Sequence, residues 1–135
     1  MSLGASAALQ AAVYQHLAAD PALAALVGTR IFDAVPPATV TGTYVSLGPE
    51  DVREAADRSG PGARHDFTVS VVTDEAGFSL AKEVAVAISD RLDNAALALA
   101  RGRLVSLWFL QSRARRVETG QARRIDLTFR ARIEL

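Results

Sequence analysis

Apolar residues recur at three- and four-residue steps over residues 5–19, at Ala8, Leu9, Ala12, Val13 and Leu17, and this spacing predicts an amphipathic helix. Asp20-Pro21 stops it, because the residue before a proline disfavours helical backbone. Asp20 can also cap a short second helix that has Pro21 at its first position and Gly28 just past its end. Thr29 to Val35 and residues 43–48 (TYVSLG) read as short strands, separated by Pro36-Pro37 and a loop. From His65 to Thr73 the period drops to two: His65, Phe67, Val69 and Val71 share one face, and Asp66, Thr68, Ser70 and Val72 the other. Asp74 and Glu75 then look like the cap and first-turn anions of a helix striped by Leu80, Val84, Ala87, Ile88 and Leu92 and ending near Asp93-Asn94.

The closing segment alternates over the longest distance. Ile125, Leu127, Phe129, Ala131, Ile133 and Leu135 face one way, and Arg124, Asp126, Thr128, Arg130, Arg132 and Glu134 the other. That is the pattern of a strand with one covered face. Leu104 to Leu110 (LVSLWFL) is apolar on both faces, which predicts a central strand or one covered on both sides. With Thr119-Gly120 as the central turn residues, Arg113 falls opposite Asp126 and Leu110 opposite Phe129. The expected order is α, α, β, β, β, α, β, β. The expected fold class is α+β: an antiparallel or mixed sheet of four to five strands, with the two main helices packed on one face.

The chain has 135 residues, half of them apolar, enough for one domain with one core over residues 1–135. Its 15 basic and 15 acidic residues cancel, which argues against general coating of nucleic acid, where affinity comes from neutralising phosphates. All the basic residues except Lys82 are arginine, a bias that high-GC coding explains and that also suits interfaces. There is no cysteine, hence no disulfide, thiolate metal site or cysteine nucleophile. No basic leader precedes an apolar stretch, and no apolar run reaches the ~18 residues of a membrane span. The expectation is a soluble, intracellular chain without a membrane partner.

Chemical motifs are lacking. His16 and His65 are not spaced as a metal pair, no serine sits in a nucleophile elbow, and SGPG at residues 59–62 lacks the lysine and following helix of a phosphate loop. The expected catalytic, cofactor and metal residues are therefore none, and an enzyme is not expected. Two clusters remain. Residues 49–64 read as a charged, exposed loop, in which Glu50, Asp51, Glu54 and Asp57 alternate with Arg53 and Arg58 and largely compensate one another. Arg113, Arg115, Arg116, Arg123 and Arg124 gather around one turn. They form either a solvated hairpin tip, whose charge resists aggregation, or an electropositive surface for an acidic protein or nucleic acid. No aromatic residues are interleaved among these arginines, so stacking on single-stranded bases is not expected.

Three stretches resemble one family: "AVYQHLAADPALAALVGTRIFDAVPP", "YVSLGPEDVREAADRSGPGARHDFTVSVVTDEAGFSLAKEVAVAISDRLDNAALAL" and "RRVETGQARRIDLTFRARIEL". In order and wording they are similar to the tail-completion or tail-terminator proteins of long-tailed phages, prophages and gene transfer agents. The resemblance implies a structural virion protein in the tail or neck of a phage-like particle, present in the cytoplasm of the producing bacterium before assembly. It implies a homo-oligomeric ring, usually a hexamer, that caps the head-proximal end of the tail tube, stops its growth and joins it to the head connector. The implied partners are the tail tube protein, the connector or neck protein, and DNA in transit. Residues 49–64 would then be a docking loop, and most of the five arginines would pair with neighbouring subunits, a minority facing the channel. The competing readings are a neck or head-completion adaptor and, from another class, a small nucleic-acid-binding module.

Overall fold

The structure, a computed structural model, describes residues 3–34, 36, 40–55, 62–117 and 122–135. Its elements run α1 (Ser6–Ala18), α2 (Pro21–Val27), β1 (Ile31–Phe32), β2 (Tyr44–Glu54), β3 (Gly62–Thr73), α3 (Ser79–Leu92), β4 (Arg103–Arg116) and β5 (Arg123–Glu134). The strands form one mixed sheet in the order β1-β2-β3-β5-β4; only the β1–β2 pair is parallel. This is the expected α+β class and order.

The helices form as their sequence directs. Leu9, Val13 and Leu17 are the buried stripe of α1. The Asp20 carboxylate accepts the Leu23 backbone N–H at 3.2 Å, Pro21 opens α2, and Gly28 closes it at φ +61°, a conformation that side chains with a Cβ rarely adopt. α1 and α3 are tied reciprocally: His16 Nε2 donates to the Arg91 carbonyl at 3.1 Å and Arg91 Nε donates to the His16 carbonyl at 3.0 Å.

One face of the sheet carries all the helices. β5 sends Ile125, Leu127, Phe129, Ala131 and Ile133 into this layer and β3 sends Phe67, Val69 and Val71, where they meet Val84, Ile88 and Leu92 of α3. Phe129 is fully buried, stacked on Phe67 (centroids 5.7 Å apart) and edge-on to Phe109 (5.8 Å).

Four expectations are corrected. Residues 49–64 are not one long loop. β2 continues through Glu54 and β3 begins at Gly62, because Gly48-Pro49 forms a bulge opposite Thr68 after which the ladder resumes with Glu50 opposite Phe67. Asp74 and Glu75 do not cap α3. The Asp74 carboxylate accepts Gly42 N–H, the Glu75 N–H donates to Thr73 Oγ1, and the helix starts at Ser79. The LVSLWFL segment is not central: β4 is an edge strand with Val105, Trp108, Phe109 and Leu110 exposed. Finally, Arg113 does lie opposite Asp126, but a bulge at Leu110 shifts the ladder, so Phe109 rather than Leu110 faces Phe129. The turn at residues 118–121 lies outside the described residues.

Phe129→Ala is expected to lower the unfolding free energy by about 3–5 kcal/mol through the cavity it leaves, read as a lower urea midpoint. Arg113→Ala, an exposed truncation, is expected to change it by no more than about 0.5 kcal/mol.

Candidate interaction surface

Because the helices occupy a single face, the other face of the sheet is bare among the described residues, and the period of two places most of the strand charges on it. β5 contributes Arg124, Asp126, Arg130, Arg132 and Glu134. Their cross-strand partners include Arg64 and Asp66 on β3 and Arg103, Arg113 and Arg115 on β4, and β2 adds Asp51 and Arg53. Arginines on this face outnumber carboxylates two to one.

Asp66 and Asp126 are each shared between two guanidinium groups. Arg130 grips Asp66 with two hydrogen bonds, 2.8 and 3.0 Å, and Arg64 approaches the same carboxylate at 4.0 Å. Asp126 accepts from Ser70 Oγ at 2.7 Å and from Arg124 Nε at 2.8 Å, with Arg115 at 3.7 Å. Arg115 and Arg124 are direct cross-strand neighbours, a like-charge pair that Asp126 offsets. Arg103 reaches Glu134 at 2.6 Å. The Arg130 hydrogen bonds hold the Asp66 carboxyl below its ordinary range, against the desolvation that would raise it. Burial pushes Asp126 up, but the bonds from Ser70 and Arg124 and the Arg124 and Arg115 charges outweigh it, and the net shift is down.

The structure divides the five turn arginines, which the alternation of β5 alone did not. Arg113, Arg115 and Arg124 lie on the bare face. Arg116 and Arg123, paired with each other, lie on the helix side, where Arg123 sits over the Phe78 ring at 5.6 Å and donates to the Glu75 carbonyl at 2.9 Å. Trp108, 40 % exposed, faces Arg130 across the ladder. An aromatic residue therefore does share the arginine face, which the linear spacing concealed because Trp108 precedes the bulge.

Of the expected docking-loop residues, Glu50, Asp51, Arg53 and Glu54 lie on β2, and Asp57 and Arg58 fall outside the described residues. Glu50 turns toward the helices, where Ser6 Oγ donates to one carboxylate oxygen and the buried His65 ring lies 3.4 Å from the other. Burial pushes Glu50 up, and the His65 and Ser6 bonds bring it net below its ordinary value. The three side chains are not a relay for nucleophilic catalysis, since the hydroxyl bonds the carboxylate and not the imidazole. Among the described residues no three His, Cys, Asp or Glu side chains converge as a metal site, and no helix is long and apolar enough to cross a membrane.

A one-sided α+β domain with an ion-paired open face and exposed strand edges defines a class of proteins that work by association. The comparisons specify it. The family model "Tail completion protein gp17" matches residues 11–134, so the chain belongs to the tail completion protein family. A solved chain from a structure titled "Virion of native gene transfer agent (GTA) particle" is 63% identical, with a TM-score of 0.92 over 99% of this chain and 100% of that one. No curated protein matches.

Asp66 and Asp126 titrate below their ordinary range when folded, so their contribution to stability is complete above about pH 4 and is lost as pH falls through the lowered values. Asp66→Asn and Asp126→Asn are each expected to flatten the loss of urea resistance between neutral and acid pH. Wild-type steepness in both variants would show that these pairs add nothing to the acid response.

Proposed function

We propose that this tail completion protein forms a ring on the head-proximal end of the tail tube, ends tube growth, joins the tail to the head connector, and lets DNA pass through its opening. The observation that carries the reading is the one-sided fold. With the helices outward, the bare sheet face lines the opening and the strand edges meet neighbouring copies. The membership in the family and the likeness to a chain of a gene transfer agent virion support a place in the tail region of such a particle.

A channel for DNA has to be polar without holding phosphate tightly, since each phosphate neutralised adds salt-dependent affinity. The open-face arginines meet this condition in large part, because carboxylates of the same face occupy Arg115, Arg124, Arg130 and Arg103. Four strands about 4.8 Å apart, tilted by about 35–45°, span about 25 Å of circumference. Six copies would therefore close a sheet ring about 50 Å across between backbones, wide enough for a duplex. The far end of the β2–β3 hairpin, with Asp57 and Arg58, is the proposed contact to the head side.

Particles lacking this chain are expected to show tails of unregulated length that are not joined to heads, scored by electron microscopy. Tails of normal length that merely fail to join would favour the neck-adaptor reading, and normally joined particles would overturn both. Deleting residues 56–61 is expected to leave tail length normal and joining impaired; full joining would remove the hairpin end from the docking contact. The isolated protein is expected to bind duplex DNA only weakly at physiological salt, and a tight, salt-dependent affinity would favour a nucleic-acid-binding module.

A further inference from the structure

Among the described residues, each side of the sheet has one regular stretch of strand without an outer partner, and the two stretches carry opposite net charge. On β4 the lower edge is occupied: Asn94 N–H donates to the Leu107 carbonyl at 2.8 Å, and Phe109 N–H donates to the Asp93 carboxylate at 2.9 Å. Bulges at Val105 and Leu110 also break its regularity. Above Leu110 the ladder is regular from Gln111 to Arg116, the outer edge has no partner among the described residues, and Arg113, Arg115 and Arg116 are exposed. On the opposite side, β1 covers β2 only at Val45 and Ser46, and the Gly48-Pro49 bulge follows. Beyond it Glu50 to Glu54 is regular and has no outer partner among the described residues; Asp51, Arg53 and Glu54 are exposed, and its three carboxylates outweigh the one guanidinium.

We infer that successive copies of this chain join edge to edge, the Gln111–Arg116 segment of β4 pairing antiparallel with the Glu50–Glu54 segment of β2 in the next copy. The inference rests on the ring reading above and names its contact. β4 and β2 run in opposite directions within one sheet, so copies related by rotation present them antiparallel.

The stagger of a closed sheet sets the register. Perpendicular to the strands, Val52 is level with His65, Ala131 and Leu107. Viewed from the helices with β3 pointing up, a right-handed β3–α3–β4 crossover puts β4 on the right of the sheet and β2 on the left. The right-handed twist of a closed sheet then raises the neighbouring β2 along β4. Four strands per copy at a tilt of about 35–45° raise it by about four to six residues. Counted past the Leu110 bulge, Val52 of the neighbouring copy therefore comes level with residues 112–114, inside the open stretch. Asp51 of that copy lies on the bare face, as do Arg113 and Arg115, so the charges meet on the same side. Val52 faces the helix side, where a groove of about 300 Å³ between α3 and β4 is lined by Val86, Phe109 and Ala114. The same rise carries β1 of the neighbouring copy beyond Arg116, where it does not block the edge. Without the stagger, β1 would lie on the edge that has to pair.

The chain has no cysteine, so the contact can be tested by cross-linking. Opposed residues of an antiparallel pair have Cα atoms about 4.5–5.5 Å apart, within disulfide range. In assembled particles, Arg113→Cys is combined in turn with Asp51→Cys and Arg53→Cys, which share its face. At least one pair is expected to give, on oxidation, a ladder of multimers ending at the closed ring. Within one copy the two positions lie three strand spacings apart and cannot bridge. Rings visible by electron microscopy with no ladder from any pair would overturn the edge contact and leave the ring reading intact, whereas particles carrying the chain without a ring would overturn both. Charge exchange gives a second readout: Arg113→Glu and Asp51→Arg are each expected to lower ring yield by about tenfold, and together to restore most of it. Equal loss in the double variant would count against the pairing.

Discussion

Strand β5 is hydrogen-bonded along its length by β3 on one side and β4 on the other, so its side-chain period of two sets the chemistry of both sheet faces at once. On one face Phe129 lies between Phe67 and Phe109 and anchors the core under the helices. On the other, the same strand presents Arg124, Asp126, Arg130 and Arg132 to its neighbours. A slip of one residue would exchange the faces, burying guanidinium groups and exposing Phe129. The cross-strand pairs Arg130–Asp66 and Arg115–Asp126 reinforce this register, because a shifted strand would part them.

Much of this was legible in the sequence and some was not, for identifiable reasons. The alternation from Arg124 to Leu135 and from His65 to Thr73 announced β5 and β3, since each strand has one apolar and one polar face. The register of Arg113 on Asp126 followed from the turn. LVSLWFL misled because an all-apolar strand ordinarily lies inside a sheet. Here the α3 crossover delivers β4 outside β5, and part of its apolar side is left exposed. Charge misled at residues 49–54, where alternating Glu, Asp and Arg look like loop but are an edge strand resuming after a bulge. The family was legible from wording and order along the chain. The division of the five arginines between two faces was not, because it depends on which strand pairs with which.

Among the described residues, the cluster Ser6–Glu50–His65 fastens α1 to the bulged strand. The candidate sites of this tail completion protein are its open sheet face and its strand edges. The open face pairs Asp66, Asp126 and Glu134 with arginines of its own and keeps an excess of positive charge. The edges are protected over most of their length by bulges, by β1 and by the segment following α3, as strands that must not pair indiscriminately usually are.

A net charge of zero acquires meaning once the charges are placed. If they were mixed evenly, two copies would meet in either orientation with little preference. With the open stretch of β4 basic and that of β2 net acidic, its Glu50, Asp51 and Glu54 outweighing Arg53, the proposed contact sets unlike edges together and keeps like edges apart. Two-fold pairing of β4 on β4 is disfavoured, and head-to-tail pairing is left. Head-to-tail contacts either close into a ring or grow into a filament, depending on the rotation each contact imposes. In the proposed ring, the twist and stagger of a four-strand repeat would supply that rotation. On the proposed contact, the sheet geometry that buries Phe129 also sets the angle at which the next copy docks.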